Sequence, residues 1–182
     1  MIRFAVLVSL LLLGCSTPPR ERFYTLDAPE PPLAAPEAAS LAVWPVSVLE
    51  MVDRPQLVVR TSANEVMIAE QARWAEPLKS AIARVVAANL AANLAMRLAG
   101  PARNADADYR VALDILRFDS GPDQGVLIDA AWTVIGPKAR RTGRSVVREK
   151  TATKYYDALA AAHSAALAAI SKDIAAAIRE QK

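Results

Sequence analysis

Trp74-Ala75-Glu76-Pro77-Leu78 opens the most clearly periodic segment of the chain. Pro77 fits the first turn of a helix, where a missing N–H costs nothing. Apolar residues then recur at Leu78, Ile82, Val85, Val86, Leu90, Leu94 and Leu98, spacings that place them on one helical stripe. Gly100-Pro101 supplies a left-handed turn followed by a block, so the expected helix runs about 22 residues, or about 33 Å. Trp74 leads into the helix, where residues often lie near the surface, so core and surface both stay open for it. Trp44 and Trp132 lie in strands and are expected in the core.

Downstream the period changes from helical to alternating. From Asp108 to Phe118, Tyr109, Val111, Leu113 and Ile115 share one face, and Arg110, Ala112 and Asp114 the other. A turn over residues 120–125 leads to a strand from Val126 to Ile135, apolar on both faces at its end and therefore expected to be central. Gly136-Pro137 breaks it. Arg144 to Lys154 reads as a third strand whose charges suit an exposed edge. Asp157 is the expected N-cap of a last helix with a stripe of Leu159, Leu167, Ile170, Ile174 and Ile178.

Upstream of Trp74, Gln56 to Arg60 and Glu65 to Glu70 flank Thr61-Ser62-Ala63-Asn64, the pattern of a β-hairpin with Asn64 at positive φ. Met51 to Pro55 is a connector, and Arg54 is held out of the helical region by Pro55. Leu41 to Leu49 reads as a strand in which Pro45 marks an edge or a bulge. The fold class that follows is α+β. We expect one domain over residues 41–182, with an antiparallel sheet of five to six strands carrying two long helices.

The segment 15–40 contains Pro18, Pro19, Pro29, Pro31, Pro32 and Pro36 and reads as an extended tether. Within it, Arg22-Phe23-Tyr24-Thr25-Leu26 is aromatic-rich and is expected to dock as a short edge strand. Residues 1–14 have the layout of a secretory signal, with Arg3 and then an apolar run too short to span a bilayer. Leu12-Leu13-Gly14-Cys15 closes that run as a lipobox and holds the only cysteine. The expected processing is thioether attachment of diacylglycerol to Cys15, cleavage between Gly14 and Cys15, and acylation of the new amine, palmitate being the usual acid. Several acyl chains anchor a protein stably without spanning the membrane. Ser16 after the cysteine permits sorting to the outer membrane, with the domain on the periplasmic face.

The chain has 22 Lys and Arg against 19 Asp and Glu, a near balance that gives no ground for nucleic-acid binding. No phosphate-cradling glycine loop or nucleophile elbow is present around Ser145, Ser164 or Ser171. His163, the only histidine, lies on the apolar stripe of the last helix. With no second histidine and the one thiol acylated, it reads as a structural residue, with no metal site and no cofactor. Lys138, Arg140, Arg141, Arg144 and Arg148 read as a solvated loop and charged edge strand. The alternative for this cluster is contact with anionic headgroups or an acidic partner.

Several of these stretches together resemble the ABC-type transport auxiliary lipoprotein family. Phe23-Tyr24-Thr25-Leu26 after the lipobox is similar to its Tyr-Tyr-Thr-Leu signature, and Val43-Trp44-Pro45 to its first strand. Asp53-Arg54-Pro55-Gln56-Leu57-Val58, Arg60, Asn64 and Trp74 to Leu78 follow at family-like distances. The resemblance implies a non-enzymatic outer-membrane component of an MCE-type lipid transport system. It implies docking of the periplasm-spanning MCE protein and its ABC transporter, with a homo-oligomeric ring matching the partner's symmetry. Tyr24, Asp53, Arg54 and Trp74 are the expected contact residues. Two alternatives stand beside it. One is a structural or assembly lipoprotein of another envelope complex. The other is a periplasmic lipoprotein hydrolase built on His163 or on an acid pair such as Asp106 and Asp108.

Overall fold

Tyr109–Gly121 (β6), Gly125–Ile135 (β7) and Arg140–Glu149 (β8) form an antiparallel meander in a computed structural model of the chain. The structure describes residues 20–30, 35, 38–121, 125–151, 153 and 155–181. The signal segment 1–14, the Gly14-Cys15 junction and Ser16 lie outside them. Along β6, Tyr109, Val111, Leu113 and Ile115 are buried in alternation, as the pattern predicts. β7 is buried on both faces over Val126–Ala130 and sits inside the sheet, while β8 is its charged edge.

The rest of this sheet departs from the antiparallel expectation. Ser40–Ser47 (β2) pairs with β6 in parallel, Leu41 opposite Tyr109 and Val43 opposite Val111. The register shifts between Val43 and Val46, so Pro45 falls in a bulge, following a cis Trp44–Pro45 bond. Arg97–Leu98 (β5) adds a short parallel strand on the far side of β2, giving the order β5-β2-β6-β7-β8. Arg22–Tyr24 (β1), Val66–Trp74 (β4) and Gln56–Arg60 (β3) form a second sheet in the order β1-β4-β3. Here β3 and β4 are the expected hairpin, and β1 is the docked aromatic pentad, parallel to β4. The fold is α+β with two mixed sheets. Parallel pairing arises because the hairpin and a helix intervene between β2 and β6, and such a crossover returns the chain in its original direction.

Leu78–Leu94 (α1) and Tyr156–Arg179 (α2) pack on each other. α1 covers β2, and α2 covers β7 and β8. The core fills the space between: Leu41, Val111, Leu113 and Ile128 from strands meet Ile82, Val85 and Leu90 of α1 and Leu159, Leu167, Ile170 and Ile174 of α2. Among the described residues no helix is long and apolar enough to cross a membrane.

Several local expectations are corrected. α1 ends at Leu94 rather than at Gly100, with Ala95 in the left-handed conformation (φ 51°) and its N–H donating to the Ala91 carbonyl. The chain leaves early because the edge of β2 offers backbone partners: Arg97 N–H donates to Ala39 O (3.1 Å) and Ala99 N–H to Leu41 O (2.8 Å). Leu98 is therefore outside the helical stripe and exposed. Pro77 occupies the N-cap position, one residue before the first turn. Tyr155, not Asp157, is the cap position of α2; Asp157 lies in the first turn, where its charge suits the helix dipole. Asn64 does not take positive φ. The hairpin loop is closed instead by Thr61 and Ser62 N–H groups donating to Glu65 O, and by Thr61 Oγ1 donating to the Glu65 carboxylate (2.9 Å).

The tryptophans also redistribute. Trp44, beside the bulge at Pro45, is 57% exposed. Trp132 is half-buried, lying across Gly143 of the neighbouring strand. Trp74 is buried.

Candidate functional site

The connector between β2 and β3 is wound by its own backbone. Val52 and Asp53 N–H groups donate to Leu49 O (3.0 and 3.1 Å), and Arg54 N–H to Val52 O (2.9 Å). Val52 is buried beneath, so Asp53, Arg54 and Pro55 are pushed outward as a ridge. Opposite runs the junction of β4 with α1, Trp74 to Leu78. Trp74 N–H donates to Pro55 O at 2.7 Å and Ala75 N–H to Tyr24 O at 2.9 Å, which fixes the junction to both the connector and β1. Between ridge and junction opens a cleft of about 360 Å³.

The cleft is lined mainly by apolar surface from Pro55, Trp74, Pro77 and Leu78, with a few charged groups at its rim. Lys79 Nζ meets Asp53 Oδ2 at 2.7 Å. Glu76 is engaged by the Arg84 guanidinium, whose Nη2 also donates to Leu26 O (2.9 Å). Arg54 Nε is shielded from solvent and has no acceptor among the described residues. Mostly apolar walls with a few fixed polar groups suit recognition of another molecule.

Trp74 connects this surface to the interior. Its ring meets Phe118 edge to face, with centroids 6.3 Å apart. Phe118 stacks on His163 at 3.9 Å with planes 4° from parallel, and His163 Nε2 and Ser120 Oγ share a hydrogen bond at 2.7 Å. His163 and Ser120 are both buried, and His163 Nδ1 has no partner among the described residues. Burial lowers the histidine pKa to about 3, against a weaker opposing pull from the Asp119 carboxylate. His163 is therefore a neutral ring sealed inside the core. The Ser120–His163 contact was not legible in the sequence, since 43 residues separate the pair; the alternation from Tyr109 to Ile115 would turn Ser120 outward, and the register shift between Ile115 and Arg117 brings Phe118 and Ser120 inward.

Other candidate residues are placed elsewhere. Tyr24 lines a second hollow with Phe23, Tyr155 and Tyr156, and meets the Tyr156 ring edge to face at 6.1 Å. Only its carbonyl reaches the Trp74–Leu78 junction. Asp108 accepts hydrogen bonds from Ser40 Oγ (2.6 Å) and Ser40 N–H (2.7 Å), which hold its carboxyl below the usual range. It ties β2 to the start of β6. In the basic cluster, Arg144 makes a two-point contact with Asp129, and Arg141 pairs with Glu180 at 2.9 Å. Among the described residues no group of three or more His, Cys, Asp or Glu is placed to hold a metal ion.

Known structures share the architecture. A crystal structure of an uncharacterized protein superposes with a TM-score of 0.73 at 21% identity, covering 88% of this chain and 99% of that one. The protein XCC0632 from Xanthomonas campestris superposes with a TM-score of 0.60 at 20% identity, covering 85% of this chain and 92% of that one. At these identities the likeness is one of fold. Among curated proteins none matches the chain. The model of a family described as the ABC-type transport auxiliary lipoprotein component matches residues 24–175, which include the β3–β4 hairpin, the cleft and most of α2. That match spans most of the chain, which therefore belongs to the family of ABC-type transport auxiliary lipoprotein components.

Proposed function

We propose that the protein is a non-enzymatic lipoprotein of the outer membrane that docks the periplasm-spanning MCE protein of an ABC-type lipid transport system. In this reading residues 1–14 are a cleaved signal, acylated Cys15 is the anchor, residues 15–40 connect it to the domain with β1 in their midst docked on β4, and residues 41–182 carry the docking surface. The observation that supports it most is the shared cleft. Asp53 and Arg54 sit on the connector and Trp74 at the end of β4, and the fold brings the two segments to one mainly apolar recess. A symmetric partner would be matched by several copies of this chain in a ring.

The test is capture of the full-length lipoprotein from detergent-solubilised envelopes after mild crosslinking, with the captured proteins identified by mass spectrometry. An MCE-domain protein with its ABC transporter subunits, crosslinked near Asp53–Leu78, is the expected result. Capture of a different envelope complex without an MCE protein would replace this reading with an assembly role elsewhere. The anchor is checked separately: Cys15→Ala should remove the acyl mass and release the protein from membranes.

A further inference from the structure

Docking of β1 changes the length of the leash. If residues 15–40 were free, the 26 residues between an anchored Cys15 and the domain could reach about 90 Å. But Arg22–Tyr24 is hydrogen-bonded to β4, Leu26 is fully buried, and Asp27 N–H donates to Ser164 Oγ of α2 at 2.9 Å. Only the seven residues 15–21 remain between the anchor and the folded body, a span of at most about 25 Å. A domain of this size is itself about 30 Å across or more. The face that carries β1 must then stay beside the membrane that holds the anchor.

That face carries an unusual surface. Tyr155 at 67% and Phe23 at 60% exposure are the two most exposed large apolar side chains among the described residues. They lie together, with Tyr24 and Tyr156, around one hollow of about 520 Å³. Arg22 lines the same hollow. The nearby acid Glu21 is occupied by Arg73 at 2.7 Å, which leaves Arg22 and Asp157 as the charged groups in the lining, Arg22 being the one that suits anionic headgroups. Aromatic rings with a polar tip, flanked by arginine, are the side chains that settle at the headgroup level of a bilayer.

We propose that the Phe23–Tyr155 face is a membrane seat: it lies on the bilayer surface beside the lipid anchor and fixes the domain's orientation, turning the cleft at a defined angle to the membrane. This rests on the anchor reading of Cys15. The test uses the full-length acylated protein reconstituted in vesicles of phosphatidylethanolamine and phosphatidylglycerol. With Cys15 acylated, Tyr155→Cys supplies the sole thiol for a nitroxide label, and Ala63→Cys in the β3–β4 loop supplies the comparison. The expected result is a several-fold lower collision rate with an aqueous nickel reagent at position 155 than at position 63, and a higher one with oxygen. A Phe23→Cys label should repeat the pattern. Acylated protein that floats with the vesicles yet is equally open at both positions overturns the seat alone. Protein without acyl mass that does not float overturns the anchor, and the seat with it. Dipolar broadening between labels would put a second copy in the hollow and also overturn the seat.

Discussion

Trp74 stands edge-on to His163, their ring centroids 6.2 Å apart and their planes at 71°. A residue of the cleft wall thus touches the one histidine of the core. Because His163 is neutral in the folded protein, with its pKa lowered to about 3, the unfolded chain binds the extra proton first. Its contribution to stability is present above about pH 6.5 and is lost as pH falls from there toward 3. We expect denaturant-unfolding free energies to drop with a slope approaching about 1.4 kcal/mol per pH unit in that window. His163→Phe should flatten the slope whatever its effect on stability at pH 7. An unchanged slope in the variant would assign the pH dependence to other groups.

Below about pH 4 the carboxylates add to this. Burial pushes Asp119 upward, but hydrogen bonds from Arg60 and Arg117 outweigh it and hold the carboxyl below its ordinary range. Its stabilisation is present at neutral pH and lost as acid protonates it. Arg60→Gln should therefore move the acid limb of the unfolding curve toward higher pH, measured by circular dichroism during acid titration.

The two cleft residues separate docking from folding. Trp74 is 7% exposed and packed on the core rings, so Trp74→Ala should cost about 3–5 kcal/mol of stability. Loss of capture in that variant would say little about contact. Arg54 lies on the ridge, half-buried. Arg54→Ala should keep the melting temperature within a few degrees and reduce partner capture. Wild-type capture by Arg54→Ala would take this arginine out of the docking surface.

Gly143 is held open for Trp132. A Cβ at position 143 would fall 2.2–2.7 Å from three atoms of the indole. Gly143→Ala should destabilise by about 1–3 kcal/mol through overpacking. Adding Trp132→Ala should relieve part of that loss, so the two effects should not sum in a double-mutant cycle.

Ala95 offers a gain. It is the one non-glycine residue at positive φ among the described residues, and it ends α1. Ala95→Gly should stabilise the protein by about 0.5–1 kcal/mol, because the left-handed cap strains an alanine and suits a glycine. Chemical denaturation with an unchanged m-value would show it.

The chain announces its helices, its hairpin and its meander because each is written in a local period. Leu159 to Ile178 and Tyr109 to Ile115 lie where their spacing puts them, and the aromatic pentad docks as its composition suggests. Neighbour direction is not written locally. Alternation in Leu41–Val46 shows which face is buried but is identical for parallel and antiparallel partners, so the β2–β6 pairing was hidden. Leu98 fits the helical stripe by spacing, and only the free edge of β2 explains why the helix stops before it. Trp74 needed Phe118 and His163 beside it to become a core residue. In the cleft, Asp53, Arg54 and Trp74 could be nominated, whereas the separation of Tyr24 from them depends on how β1 lies against β4.

The parallel pairing of β2 with β6 sets an order for folding. Ser40 and Asp108, which fasten the two strands, are 68 residues apart, and β1 waits for a partner 50 residues downstream, Arg22 facing Ala72. The meander β6–β7–β8 and the hairpin β3–β4 close through short loops, and short loops cost less entropy to close. β1 and β2 are thus completed on a template that later strands supply.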